Sequence, residues 1–360
     1  MFRTFVAFAL ILLAGLSAGN ALERPDVEFK IFQFPPDMIP RIDGNIDDWS
    51  IVPDDYGIGA DELRDTVNNS TMDKSDFDCT VKLGWVKGLD RLYVLYEAYD
   101  DFWDFEQTGL HNDIFELVVD ADLSGRPLIP GMREDMKLDK WNGYLYQGVH
   151  AQNYHIFTPA ENKAWTMVWG CQPWIADLPW SNTAYSYNFK HGKSGKLVLE
   201  FWITPFDYAP YDGPGRAVVS KLEENKILGI SWSILEYDGG SETLGYQAFW
   251  NLSHKTTMYG DASDLVKFKL MPIEKSLRKP IEAQWTFKII DMDRRLVSFK
   301  DQSFGEITSW QWDFGDGTTS NEQNPVHEYK SPGLNYVVVL YIEGPAGKTH
   351  FSKVWDVAIK

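Results

Sequence analysis

Alternation of apolar and polar positions dominates the chain. "CTVKLGW" alternates from Cys79 to Trp85. "KLVLEFWIT" sets Leu197, Leu199, Phe201 and Ile203 on one face and Val198, Glu200 and Trp202 on the other. "RLYVLYEAYD", from Arg91 to Asp100, is apolar on nearly both faces, the pattern of a central sandwich strand. "KILGISWSILEYD" and "LVKFKLMPI" continue the series. Turn signals separate the runs: "KGLD" at Lys87, "KSGK" at Lys193 and "DGG" at Asp238. Helical spacing is scarce. Many short strands with few helices predict an all-β protein made of sandwiches.

The rhythm breaks at "EKSLRKPIEAQ", Glu274 to Gln284, which is charged and holds a proline. A chain of 360 residues suits two domains, and this segment sets the boundary between them. The expected division is a leader at 1–21, a large β-sandwich at 22–275, a linker at 276–282 and a small sandwich at 283–360. The leader reading rests on Arg3, an unbroken apolar run from Phe5 to Leu16, and the small residues around Gly19-Asn20-Ala21. That run is shorter than the ~20 residues that span a bilayer. A cleaved signal peptide is expected, with an uncleaved N-terminal anchor as the alternative. The mature protein is then secreted, periplasmic or on the cell surface, with no membrane span after cleavage.

Composition narrows the partners. The net charge is −18, so a surface for nucleic-acid phosphates or for an anionic membrane is not expected. Neutral glycans remain open, and an aromatic content of 15% supplies flat rings to meet them. Two cysteines, Cys79 and Cys171, lie on alternating stripes. Export permits a disulfide between them, and buried free thiols fit equally. The absence of Cys-x-x-Cys argues against a zinc knuckle or an attached c-type haem.

From Leu296 the chain contains "WDFGDGTTS" at Trp312 to Ser320, "NPVHEY" at Asn324 to Tyr329, and "PGLNYVVVL". These segments resemble the polycystic-kidney-disease (PKD) domain, an immunoglobulin-like β-sandwich. The resemblance covers about Ala283 to Lys360 and implies a spacer or a module for extracellular protein partners. Phe314-Gly315-Asp316-Gly317 is a tight turn in which glycine allows positive φ, so Asp313 and Asp316 are turn acids. Trp312 is expected to fill the core. Val337 to Ile342 reads as a strand buried on both faces.

The N-terminal part contains "RIDGNIDDWSIVP" at Arg41, "TVKLGWVKGLDRLYVLYEAYDD" at Thr80, "NDIFELVVDAD" at Asn112, "GKLVLEFWIT" at Gly195 and "ILGISWSILEYD" at Ile227. In order and spacing these resemble the family 9 carbohydrate-binding module of the DOMON-like sandwich group, over roughly Pro36 to Ile273. The resemblance implies a non-catalytic sugar-binding face: two aromatic walls stack on pyranose rings while polar groups orient the hydroxyls. It places Glu116 at the sugar and the second wall near Tyr259. The first wall falls near Leu110, where the family has Trp; Trp103 or the insertion must then replace it. Asp113, Glu200 and Trp202 complete the candidate set. The insertion between Gly125 and Gly195 is long and aromatic, with Trp141, Tyr144, Tyr146, Tyr154, Trp165, Trp169, Trp174 and Trp180.

The acids of "NDIFELVVDADLSG" admit other chemistry. On one strand, Glu116 and Asp120 are ~13 Å apart, too far for the 5–9.5 Å of a glycosidase pair. A pairing of Glu116 with Glu200 or Glu236 on a neighbouring strand stays open. Asp120, Asp122 and Ser124 before Gly125 form the first half of a calcium loop, and Glu134 or Asp135 could supply the missing carboxylate. The alternative is an Asx turn. His111, His150, His155 and His254 are expected to be core or rim polar groups. A haem or redox reading would use Met167, Met258, His155 or His254, with no pair selected by spacing. An interaction scaffold with a degenerate sugar face, and an accessory part of a glycoside hydrolase system, complete the alternatives.

Overall fold

A computed structural model of the chain describes residues 22–107, 109–125, 128–129, 139–239 and 245–359. The expected leader at 1–21, and Glu134 and Asp135, lie outside these residues. Contacts divide the chain into two compact units, Met1–Pro272 and Ile273–Lys360. Among the described residues almost all regular structure is β, with one α-helix, α1, at Lys140–Tyr146 and short 3-10 turns.

The main strands of the larger unit are β1 (Phe29–Gln33), β2 (Phe77–Trp85), β3 (Leu92–Asp100), β4 (Ile114–Asp120), β5 (Gln152–Phe157), β6 (Thr166–Val168), β7 (Ser181–Tyr187), β8 (Gly195–Ile203), β9 (Ile227–Glu236), β10 (Ala248–Asn251) and β11 (Val266–Leu270). Hydrogen bonding runs β6-β5-β4-β9-β11-β1-β2-β3-β8-β7, with β10 also paired to β9. Strand β1 belongs to both sheets. Phe29 to Ile31 pair with Phe268 to Leu270, whereas Phe32 and Gln33 pair with Gly84 and Trp85.

The alternating stripes meet between the sheets. Val81, Leu83, Trp85, Val94, Tyr96, Leu199 and Phe201 of one sheet share a core with Phe115, Leu117, Val119, Ile230, Trp232, Ile234 and Phe268 of the other. β3 is buried on both faces, as its sequence implies, because the chain from Phe34 to Tyr56 lies over the outside of its sheet. Phe34 packs edge-on against Trp49, 5.2 Å between ring centres. It also fills the space above Gly84, where a Cβ would sit 2.2 Å from Phe34 Cε2.

Glu200 ties that segment down. Fully buried on the outer face of β8, it accepts from Trp49 Nε1 at 2.8 Å and from Gly44 N at 2.7 Å. Asp65 does the same for the stretch before β2. Its carboxylate accepts from the backbone N–H groups of Val67, Asn68, Ser70 and Phe249 at 2.9–3.1 Å. Burial is the largest effect on this group and pushes its pKa up; the four donors together outweigh it and hold the carboxyl below its ordinary value.

Cys79 and Cys171 are both free, which corrects the disulfide alternative. Cys79 points into the sandwich core, while the Cys171 thiol lies 3.6 Å from the Leu145 carbonyl oxygen, outside that core.

The smaller unit packs β12 (Trp285–Asp291), β13 (Leu296–Asp301) and β14 (Val326–Glu328) as one sheet. The other holds β15 (Ser309–Asp313), the pair Thr319–Ser320, β16 (Gly333–Gly344) and β17 (Gly347–Ile359). Trp285, Phe299, Trp312, Tyr329, Val338 and Leu340 fill the space between them. Gly315 and Gly317 adopt φ of +78° and +86°, as the turn reading requires. Asp313 accepts from Gly315 N, and Asp316 from Thr318 N and its hydroxyl, with His327 Nε2 at 2.8 Å. The expectation for Val337 to Ile342 is corrected: Val338, Leu340 and Ile342 are buried, but Val337 and Tyr341 are 43% and 44% exposed. A sheet with one packed face leaves the other to solvent, and β-branched or aromatic residues suit either.

Two outcomes follow. Glu200→Ala is expected to destabilise the larger unit by about 2–4 kcal/mol, because the buried Trp49 indole and the half-buried Gly44 amide lose a charged acceptor worth about 1.5–3 kcal/mol each, non-additively; urea unfolding measures it, and a loss below about 0.5 kcal/mol would contradict the tethering role. Asp65 has a depressed folded pKa, so its contribution is complete above its ordinary value of 3.8 and disappears as pH falls through the lower, folded value. Urea midpoints measured from about pH 5 to pH 2 should show this acid limb in the parent and a shallower one in Asp65→Asn.

Candidate functional site

The outer face of β4 is unusual for its polarity. Phe115, Leu117 and Val119 point into the core, so Ile114, Glu116, Val118 and Asp120 point outward. Register then places polar side chains in one row across four strands. His155 of β5 is opposite Glu116, Glu116 is opposite Ser233 of β9, and Ser233 is opposite Asn251 of β10. The next row holds Asn153, Val118 and Ser231. The row on the other side, Phe157, Ile114, Leu235 and Phe249, is apolar and packs with Leu110, Tyr246 and Tyr259.

Glu116 is the acceptor at the centre of the row. His155 Nε2 lies 2.7 Å from its Oε1, Asn153 Nδ2 donates to the same oxygen at 2.7 Å, and the Ser233 hydroxyl donates to Oε2 at 2.8 Å. Glu116 is only 2% exposed. Burial is the strongest influence and raises its pKa; the charge and hydrogen bond of His155, with Asn153 and Ser233, outweigh it and hold the carboxyl below its ordinary value. The ion is thus buried and paired. Around it, several buried polar atoms have no partner among the described residues: Asn153 Oδ1, His155 Nδ1, Ser231 Oγ, Asn251 Nδ2 and the indole nitrogen of Trp169. Trp169 lies against His155, 5.2 Å between ring centres. Tyr259 is half-buried and packs against apolar groups on both sides of the row, and its carbonyl accepts from Asn153.

The other expected residues are dispersed. Trp103 is not a wall: it is 1% exposed, stacks on Phe189 at 4.9 Å and donates to the Gly195 carbonyl. Asp113 is a buried brace that accepts from Asp104 N and Tyr237 N, and burial raises its pKa well above the ordinary value. Glu200 and Trp202 face outward from the other sheet, where Glu200 holds the segment over β3 and Trp202 lies under the Arg91 guanidinium at 3.9 Å. Leu110 is half-buried beside Tyr246 and Tyr259. A catalytic partnership of Glu116 with Glu200 or Glu236 fails on geometry. Glu200 is outside the opposite sheet, and Glu236 lies on the inward register of β9, bonded to the Trp250 indole.

Asp120 forms a turn. Its carboxylate accepts from Ser124 N at 3.1 Å and Gly125 N at 2.8 Å, while Asp122 accepts from Ser124 N at 3.1 Å. These bonds are those of an Asx turn closing after β4. The haem alternative also meets a geometric obstacle. Met167 is the direct cross-strand neighbour of His155, so the two cannot grip a flat macrocycle from opposite sides. His254 Nε2 lies 3.0 Å from the Glu62 carbonyl oxygen, and Met258 is fully buried. Asn251 is buried, and its side-chain oxygen accepts from Ser253 N at 2.8 Å.

The insertion divides its aromatics. Trp165, Trp174 and Trp180 pack against the main core. Trp169 reaches the Glu116 row, and Trp141 and Tyr144 of α1 are 66% and 50% exposed with ring centres 6.3 Å apart. Sequence reading gave His155 only as a core or rim polar group or a haem ligand, and missed Asn153, Ser231 and Ser233. The signal was there: "QNYHIF" and "ISWSI" both carry polar residues at period two within apolar strands. Among the described residues no helix is long and apolar enough to cross a membrane.

Comparison with known proteins separates the two units. Over 71% of this chain and 100% of the other, the fold is similar to a family 9 carbohydrate-binding module from Caldicellulosiruptor kristjanssonii in complex with cellotriose, at 16% identity and a TM-score of 0.45. The glucose complex of a family 9 module from that organism gives 16% identity and a TM-score of 0.43, over 69% of this chain and 97% of the other. The PKD1 domain of Vibrio anguillarum Epp is 26% identical over 23% of this chain and 99% of that domain, with a TM-score of 0.21. Collagenase ColQ1 of Bacillus cereus (strain Q1) is 51% identical over 49 residues, which are 14% of this chain and 5% of the collagenase. This chain therefore spans only a small part of that relative. The family model described as PKD domain matches residues 292–359, and this C-terminal segment is a PKD domain.

Proposed function

We propose that the larger unit is a non-catalytic glycan-binding domain of an exported protein, which holds or presents a neutral polysaccharide, with the PKD domain as spacer or interaction module. The observation that carries this reading is the Glu116 row with its unpartnered buried polar atoms beside Trp169 and Tyr259. An unsatisfied buried donor or acceptor costs about 1–3 kcal/mol, and several on one face are met most economically by the hydroxyls of a ligand or by water. Sugar hydroxyls offer both donors and acceptors, and the flat faces of Trp169 and Tyr259 suit the C–H faces of pyranose rings. The acidic net charge favours a neutral glycan over an anionic one.

A second reading is an interaction scaffold. It is favoured by Glu116 being already satisfied by three donors and only 2% exposed, and by the exposed Trp141–Tyr144 pair, which suits a protein surface.

Titration calorimetry of the full chain with cellotriose and a panel of other neutral oligosaccharides separates the two. Glycan binding predicts weak, enthalpy-driven affinity for at least one sugar. Glu116→Gln and Trp169→Ala should each weaken it about tenfold or more, or about 1.4 kcal/mol. Folded protein that gives no heat with any sugar would leave the scaffold reading standing.

A further inference from the structure

We propose that the larger unit carries a second carbohydrate site, in which a groove of about 450 Å³ beyond Phe157 binds one pyranose unit of a neutral glycan. The groove lies between the turn after β3 at 105–107, the turn after β5 at 161–163, and the end of β7 with the segment that follows it, at 187–191. Its volume falls within the range of small-molecule sites, about 300–1,000 Å³. Outward side chains along β5 run Asn153, His155 and Phe157, so Phe157 stands between the Glu116 row and this groove. The two sites share no residue. The floor is aromatic and braced. Trp103 stacks on Phe189 at 4.9 Å, Phe105 meets Phe189 edge-on at 6.1 Å, and Tyr187 lies 5.0 Å from Phe189. Phe105 and Phe189 are buried, whereas Tyr187 is half-buried and keeps surface for the C–H face of a sugar.

The rim offers both donors and acceptors. Glu106 and Glu161 balance Lys163 and Lys190, so charge favours an uncharged ligand over an ion. Lys163 is the group that points to a ligand. Its half-buried ammonium donates to the Gln107 carbonyl at 3.0 Å and stands 4.5 Å from the centre of the Phe157 ring, and no carboxylate pairs with it among the described residues. Burial lowers its pKa. An ammonium has three N–H donors, so two remain for oxygens that the described residues do not supply. His191 is held in place: its Nδ1 accepts from Phe105 N at 3.3 Å, so the neutral ring carries its hydrogen on Nε2, 3.4 Å from Glu106 Oε2. The side-chain amide of Asn162, a residue with φ of +60°, has no hydrogen bond among the described residues. Sugar hydroxyls both donate and accept, so one ring can satisfy ammonium, carboxylate and amide together while its C–H face covers Tyr187.

Only the class of ligand rests on the function proposed for the Glu116 row; the site is separate, and the experiment tells the two apart. Titration calorimetry of the full chain uses cellotriose, xylotriose, mannotriose and galactotriose as probes, with thermal unfolding of each variant as a control for folding. Lys163→Met keeps the aliphatic stem over Phe157 and removes the ammonium, and should weaken binding of at least one triose about tenfold. Tyr187→Ala should weaken it about fivefold. Asn162→Gly, at an exposed position whose φ glycine adopts freely, should weaken it severalfold and serves if Tyr187→Ala does not fold. Heat that remains in Glu116→Gln should vanish when Lys163→Met is added. Sugar binding lost in Lys163→Met and Asn162→Gly but indifferent to Glu116→Gln supports the groove and removes the row. Binding that ends in Glu116→Gln and ignores every groove variant overturns this proposal and leaves the row as the site. No heat with any triose overturns both.

Discussion

The structure of the larger unit depends on a strand that cannot belong to one sheet. β1 pairs with β11 through Phe29 to Ile31 and with β2 through Phe32 and Gln33. This split fixes which face of each sheet is inward. Because side chains alternate with a period of two, a one-residue slip anywhere would turn a whole stripe outward. Once the inner stripes are set, every outward residue is set too: Glu200 on one sheet, Glu116 on the other.

Both glutamates solve the same problem in opposite ways. A carboxylate on a covered face is costly unless hydrogen-bonded. Glu200 receives its donors from a distant loop, Gly44 and Trp49, and becomes a tether for it. Glu116 receives its donors from strand neighbours, His155, Asn153 and Ser233, and becomes the centre of a polar row with further unsatisfied atoms. The first arrangement is closed, whereas the second has hydrogen-bonding capacity left over. That difference, not acidity, separates a structural glutamate from a candidate site.

The aromatic residues show the same partition. Trp103, Trp165, Trp174 and Trp180 serve packing, and their indole N–H groups, where assigned, go to backbone carbonyls such as those of Gly195, Ala176 and Pro210. Trp169 has no such partner and sits at His155. A high aromatic content therefore says little about ligand contact until the fate of each ring nitrogen is known.

By itself the sequence determined the strands, their inward stripes, the break before the second unit and the Gly315–Gly317 turn, because each depends on local periodicity or on backbone φ that few residues adopt. It also put Glu116 and Asp120 on one face of one strand. It could not decide what stands beside Glu116, since the neighbours come from β5 and β9, 37 to 117 residues away in sequence. For the same reason Trp103 read as a wall and proved a core ring, and Val337 and Tyr341 read as buried and proved exposed. Only the cross-strand register and the meeting of two sheets bring such groups together, and both are long-range outcomes of packing.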